Sequence, residues 1–186
     1  MKAKQIIRKA AAYLGRDDVI KYIDTPKAEQ VMPQTEETVS ALVLLLNMVI
    51  SELCASFVPM MAEENVSATD KLYYSALSKK VLEITAVYDN SDNSIEFTTR
   101  PDHAEIAGTC KRVEYKYHPN EYFLDSEIDY QERDVSSSVL AYGLAAECSL
   151  ADGDFERACT FHDRYVKSIC ATKKMRNFMM MQRRWA

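Results

Sequence analysis

The sequence predicts an α+β chain: a four-helix bundle (two helices, then an αα-hairpin) with an inserted small antiparallel β-sheet and an extended C-terminal arm. Three observations carry that expectation. Apolar residues recur at steps of three and four over residues 3–14, 35–58, 135–150 and 155–170, which keeps side chains on one helical face. Between them, residues 71–118 switch to alternation with a period of two, the signature of strands. After Asp163 the chain has no acidic residue, and its end loses the stripe while keeping large apolar side chains.

The first helix places Ala3, Ile6, Ile7, Ala10, Tyr13 and Leu14 on one stripe, with Gly15 as its stop. Asp17 or Asp18 can begin a short second turn through Ile23, and Asp24 to Pro33 reads as a loop. The second main helix begins near Thr35, with Glu36 and Glu37 where the macrodipole favours acids. Its stripe runs from Val39 through Leu42, Val43, Leu46, Val49, Ile50 and Leu53 to Phe57, and Leu44, Leu45 and Met48 add apolar surface elsewhere. A helix apolar nearly all round needs cover on more than one side. Val39 to Met61 is also about long enough to span a bilayer. Asn47 and Glu52 inside it, Pro59 near its end and acidic flanks (Glu36, Glu37, Glu63, Glu64) favour a buried helix over a membrane anchor.

In the β region, Leu72 to Tyr74 reads as a short strand and Val81 to Tyr88 as another. Asp89 to Asn93 is a hairpin-type turn, with Ile95 to Thr98 as the returning partner. Pro101 to Gly108 reads as a crossing loop, followed by a strand in which Val113, Tyr115 and Tyr117 alternate with charges. Asp125 to Asp134 is an acidic linker. The third helix follows, and Asp152-Gly153-Asp154 turns it back into the fourth, whose stripe is Phe155, Ala158, Cys159, His162, Tyr165, Val166, Ile169 and Cys170. Residues 1–176 thus form one domain, helical over 1–68 and 121–176 with a β insert over 69–120, and 177–186 form a docking tail.

Charge is distributed unevenly. The net of −5 over 186 residues hides seven basic and no acidic residues in 164–186, which leaves −12 on residues 1–163. An acidic body is a poor general nucleic-acid binder, and the opposed charges suit docking or self-complementary assembly. Five cysteines (54, 110, 148, 159 and 170) with no CxxC pair suggest folding in a reducing compartment, and the N-terminus lacks the apolar core of a secretion signal.

Chemical motifs are sparse. The three histidines (103, 118 and 162) fit no metal spacing. Cys159 and His162 lie three apart on one helix, which could serve a ligand set or a nucleophile pair but fits core packing better. Asp125, Glu127, Asp129, Glu132 and Asp134 lack the central Gly and terminal Glu of a calcium loop. With four glycines and no phosphate loop, the expectation is a non-enzymatic protein with no catalytic residues, metal or cofactor. The tail is where contact is expected: Lys173, Lys174, Arg176, Phe178, Met179, Met180, Arg183, Arg184 and Trp185 combine cations with aromatic and Met side chains, the composition of a protein–protein contact. A rival use of Arg183, Arg184 and Trp185 is to hold a phosphate and stack on a base.

Ala11-Ala12-Tyr13-Leu14-Gly15, Tyr74-Ser75-Ala76-Leu77-Ser78-Lys79, Ala141-Tyr142-Gly143-Leu144-Ala145-Ala146-Glu147 and the closing Arg183-Arg184-Trp185 occur within this element order. In these strings and that order, the chain resembles the head–tail adaptor (connector) proteins of tailed phages. The nearest subgroup is the tail tubular or gatekeeper proteins and tail accessory factors of short-tailed phages. The resemblance implies a homo-oligomeric ring, typically of twelve, placed in the virion between the portal protein and a tail or nozzle protein. Lys173 through Trp185 would then be the portal-docking arm and residues 71–118 the tail-facing platform. Asp125, Glu127, Asp129, Glu132 and Asp134 would line a channel through which DNA passes without specific binding, no membrane being involved. The alternative is a host-side protein- or nucleic-acid-interaction module that uses the basic tail as its contact.

Overall fold

A computed structural model describes residues 1–25, 33–132 and 134–182, the side chains of 173–182 excepted. The chain divides into two units. Residues 1–50 and 121–186 form the first, and 51–120 the second.

The first unit is helical. Helix α1 (Ala3–Leu14) buries Ala3, Ile6, Ile7, Ala10 and Ala11, the stripe expected from spacing. Gly15 ends it in the left-handed region at φ 73°, a conformation that costs glycine little, and Arg16 N–H closes onto Ala11 O. Helix α2 (Asp17–Asp24) follows, with Asp17 and Asp18 in its first turn rather than as side-chain caps. Arg8 on α1 holds Asp24 through two nitrogens at 3.1–3.2 Å. Helix α3 (Pro33–Ser56) is the long apolar helix. Helix α4 (Ser137–Ala151) is capped by Ser136, whose hydroxyl accepts from Val139 N–H. A three-residue turn then leads to α5 (Phe155–Gln182). α4 packs against both α1 and α5. Where α3, α4 and α5 meet, the chain has Gly143: a Cβ there would lie 2.7 Å from Val49 Cγ1 and 3.1 Å from the Tyr165 ring. The helices approach that closely because position 143 has no side chain.

The second unit carries the sheet, together with the last turns of α3. Strands β1 (Met60–Tyr73), β2 (Val81–Tyr88), β3 (Phe97–Thr99) and β4 (His103–Tyr117) are all antiparallel where they pair. β4 is central, with β1 along one edge and β2 then β3 along the other. Its buried positions run Ala104, Ile106 and Cys110, then Val113, Tyr115 and Tyr117. The inward phase therefore changes between Cys110 and Val113, where pairing with β1 is also irregular.

Several expectations are corrected. Among the described residues there are five α-helices and a four-stranded antiparallel sheet, so the four-helix bundle with a small insert does not stand, while the α+β class does. Residues 60–68, expected to be helical, are the first half of β1. Their inward positions include Glu64, which is polar but hydrogen-bonded, and that conceals the period of two. The expected crossing loop 101–108 is largely the first half of β4. The turn after β2 returns as expected only through Ser94 and Ile95, whose N–H reaches Val87 O at 2.8 Å, while Phe97–Thr99 pairs with β4. The expected extended arm is helical as far as Gln182. On α5 the core face is Ala158, Phe161, Tyr165 and Ile169, whereas Phe155, Cys159, His162 and Cys170 are exposed. The core face follows the spacing of Ala158, Phe161, Tyr165 and Ile169, which turns the buried stripe toward Phe161 and away from Phe155, Cys159, His162 and Cys170.

Candidate interaction surface

Within the first unit, α3 and the segment after the sheet enclose a groove of about 830 Å³. One wall is Val39, Val43, Leu44 and Asn47, and the other is residues 121–125, with Tyr22 and Glu36 completing it. Asn47 fixes the two walls together. Its amide Nδ2 donates to Val43 O (3.0 Å) and Tyr122 O (2.9 Å), and its Oδ1 accepts from Tyr122 N–H at 2.9 Å. A polar side chain amid apolar neighbours is thus fully used, as burial demands. The mouth is apolar and open: Leu44 is 67% exposed, Met48 further along the helix 60%, and Phe123 opposite 69%. Side chains this large and this exposed on neighbouring elements mark a contact surface. The charged lining residues are Glu36, Glu121 and Asp125, so the rim is acidic, with no Lys or Arg among the described lining residues.

The expected acidic linker is a structured strap. Ala3 N–H donates to Ser126 O and Lys4 N–H to Leu124 O, each at 3.0 Å, and Ile128 N–H donates to Met1 O at 2.8 Å. Tyr122, Ile128 and Tyr130 are buried along it, while Asp125, Glu127 and Asp129 are exposed between them. Glu132 is different. Its Oε1 accepts from the backbone N–H and hydroxyl of Ser137 at 2.9 and 2.8 Å, and Lys9 Nζ donates to the same hydroxyl at 2.6 Å. Burial penalises its charge, but these bonds and Lys9 hold the carboxyl below its ordinary range. Glu132 secures the start of α4, and Asp134 N–H turns back onto Gln131 O. Of the five acids expected to face a channel, Asp125, Glu127, Asp129 and Glu132 are exposed and Asp134 is half-buried, and Glu132 is in addition engaged in the fold. Asn47, read from sequence only as an argument against a membrane span, was missed as the residue that builds the groove. The signal was there: one amide within an otherwise apolar helix.

The structure describes the backbone of the arm to Gln182, which covers Lys173, Lys174, Arg176, Phe178, Met179 and Met180 as helix. Their side chains, and Arg183, Arg184 and Trp185 altogether, lie outside what is described.

On the second unit's exposed face the charged side chains pair with one another, although Met61, Tyr73 and Leu82 are also exposed there at 51%, 49% and 38%. Arg112 lies 2.8 Å from Glu63, 3.5 Å from Asp92 and 3.7 Å from Glu114, with its guanidinium 4.1 Å from the centre of the Tyr88 ring. Lys116 pairs with Glu83 at 2.5 Å. Glu64 accepts from the hydroxyls of Ser78 and Tyr115 and from Ser78 N–H at 3.1 Å. Burial raises its proton affinity, but the hydrogen bonds outweigh this and its pKa is lowered. Tyr115 is raised, chiefly by burial and then by Glu64. At the far end, His103 Nδ1 lies 2.7 Å from Asp102, and its Nε2 is 3.9 Å from Glu105, which Arg100 holds at 3.1 Å. Among the described contacts, no Ser or Thr hydroxyl and no Cys thiol is hydrogen-bonded to that imidazole. Cys159 and His162 are both exposed on α5, and the imidazole's described ring contact is Tyr165, 6.2 Å between centres. Among the described residues, no group of three or more His, Cys, Asp and Glu is arranged to hold a metal. By length and hydropathy alone α3 could cross a membrane. No protein-family model matches this chain, and neither does any curated protein.

Proposed function

We propose that the chain is a non-enzymatic virion protein, one subunit of a ring that joins the portal to the tail of a phage and surrounds the DNA exit channel. The observation that supports this best is the open apolar groove of the first unit, flanked by Leu44, Met48 and Phe123. A subunit with that much exposed apolar surface on a long helix is suited to neighbours. The second support is charge: an acidic body lets DNA slide past without gripping phosphates, and a cationic, Met-rich end suits an acidic protein partner. In this reading Glu127 and Asp129 on the strap face the lumen, residues 173–186 engage the portal, and the sheet unit meets the tail.

The test is co-sedimentation with portal rings of the phage whose genome encodes the chain. The full-length protein is expected to pellet with them. A chain ending at Thr172, which retains the α5 core contacts through Ile169, is expected to fold and stay in the supernatant. Co-pelleting of the truncated chain would remove the docking role from the arm. Binding of the full-length chain to duplex DNA with a steep salt dependence would favour the nucleic-acid rival.

A further inference from the structure

We propose that the groove between α3 and residues 121–125 is the seat for the C-terminal segment, residues 173–186, of a neighbouring copy of the same chain. The two surfaces are complementary in kind. The groove is apolar inside, and the charged residues on its rim are Glu36, Glu121 and Asp125. The segment from 164 to 186 carries seven cations and no acid, and its last part holds Phe178, Met179, Met180, Met181 and Trp185. Opposite charges around an apolar centre steer the encounter and fix the register, while aromatic and Met side chains fill the middle. Size agrees as well. About 830 Å³ lies within the ~300–1,000 Å³ that holds a few large side chains. Unbranched Met side chains adapt to an irregular wall of Val39, Val43 and Leu44.

Reach is the second argument. Among the described side chains the last buried one on α5 is Ile169, and the helix continues to Gln182. At ~1.5 Å per residue this carries the chain about 20 Å further along the axis, far enough to enter an adjacent subunit. Donor and acceptor are different patches of one chain, so the contact is head-to-tail. Each copy gives an arm and receives one, and repetition closes into a ring when the rotation allows. The inference rests on the ring reading for its geometry but not on the portal. The groove is the address the arm takes when no portal is present.

The test uses the full-length protein alone, by sedimentation velocity. One variant combines Leu44→Ser with Phe123→Ser, both at exposed positions where folding does not depend on them. The other combines Phe178→Ser with Trp185→Ser. Wild type is expected to form oligomers, and each double variant to need at least tenfold higher concentration to do so. An equimolar mixture of the two variants is expected to stop at dimers, because it contains one intact groove and one intact arm per pair. Independently, a photoreactive residue at Ser40, with the Leu44, Phe123 and arm positions native, is expected to link to residues 173–186 of an isotopically distinct copy. A monomeric wild type, wild-type assembly by either double variant, or a link confined to one chain would each overturn the proposal. Its failure is separable from that of the adaptor reading. Portal co-sedimentation by a full-length chain with no groove contact would sink only the groove, and loss of portal binding with groove assembly intact would sink only the adaptor.

Discussion

The two units handle their exposed surfaces in opposite ways. The sheet unit finishes its outer face with its own charges: Arg112 alone faces three carboxylates and a tyrosine ring, and Lys116 holds Glu83. The helical unit leaves Leu44, Met48 and Phe123 in solvent beside a groove that its own polar strap holds open. Surface ion pairs add little stability, a median of ~0–1 kcal/mol each, but they give a surface no reason to associate. Exposed apolar area has the opposite character, worth roughly 25 cal/mol per Å² when a partner covers it. The helical unit gathers its exposed apolar side chains around a groove, whereas the sheet unit sets Met61, Tyr73 and Leu82 beside paired charges.

The sharpest way to break that contrast is at the helix crossing. Gly143→Val would drive methyl groups into Val49 and Tyr165, and overpacking of this kind costs about 3 kcal/mol against a small return in helix propensity. Hydrogen exchange should show amides of α4 and α5 losing protection first while those of β4 keep theirs. Equal loss in both would mean that the units unfold as one and that the comparison has no energetic content.

Next in size is Asn47→Ala. It removes three hydrogen bonds and leaves the Tyr122 amide to find another partner, at about 2 kcal/mol. A lower melting temperature with faster exchange at Tyr122 is expected. An unchanged melt would show that the strap holds the groove wall without α3.

The smallest effect concerns the sheet unit and depends on pH. Glu64 has a folded pKa below its ordinary 4.5, so its stabilisation is present above that value and disappears as the pH falls through the lower folded value. Glu64→Gln should lower stability by roughly 1–2 kcal/mol at neutral pH and lose less than wild type on acidification. Parallel pH curves for the two proteins would mean that Ser78 and Tyr115 do not favour the charged form.

Much of the helical unit was legible because its signals are local. The α1 stripe, Gly15 and the αα-hairpin are all set by residues within a few positions of one another. The errors came where meaning depends on a distant partner. Glu64 breaks the alternation of β1 unless Tyr115 is known to meet it. His103 to Cys110 resembles a loop because its inward residues, Ala104, Ile106 and Cys110, are out of phase with Val113, Tyr115 and Tyr117. Asn47 looks like a blemish in an apolar helix until Tyr122, 75 positions away, is placed against it. The opening of the groove was foreshadowed by Leu44 and Met48, which no single-sided stripe could absorb.

The change of phase in β4 carries a consequence for any attempt to shorten or lengthen the chain. Deleting one residue between Cys110 and Val113 would exchange inside for outside along everything that follows, sending Arg112, Glu114 and Lys116 toward the interior and both tyrosines outward. Loops elsewhere can absorb an insertion, but here the residue count itself decides which wall of the platform is greasy and which is wet.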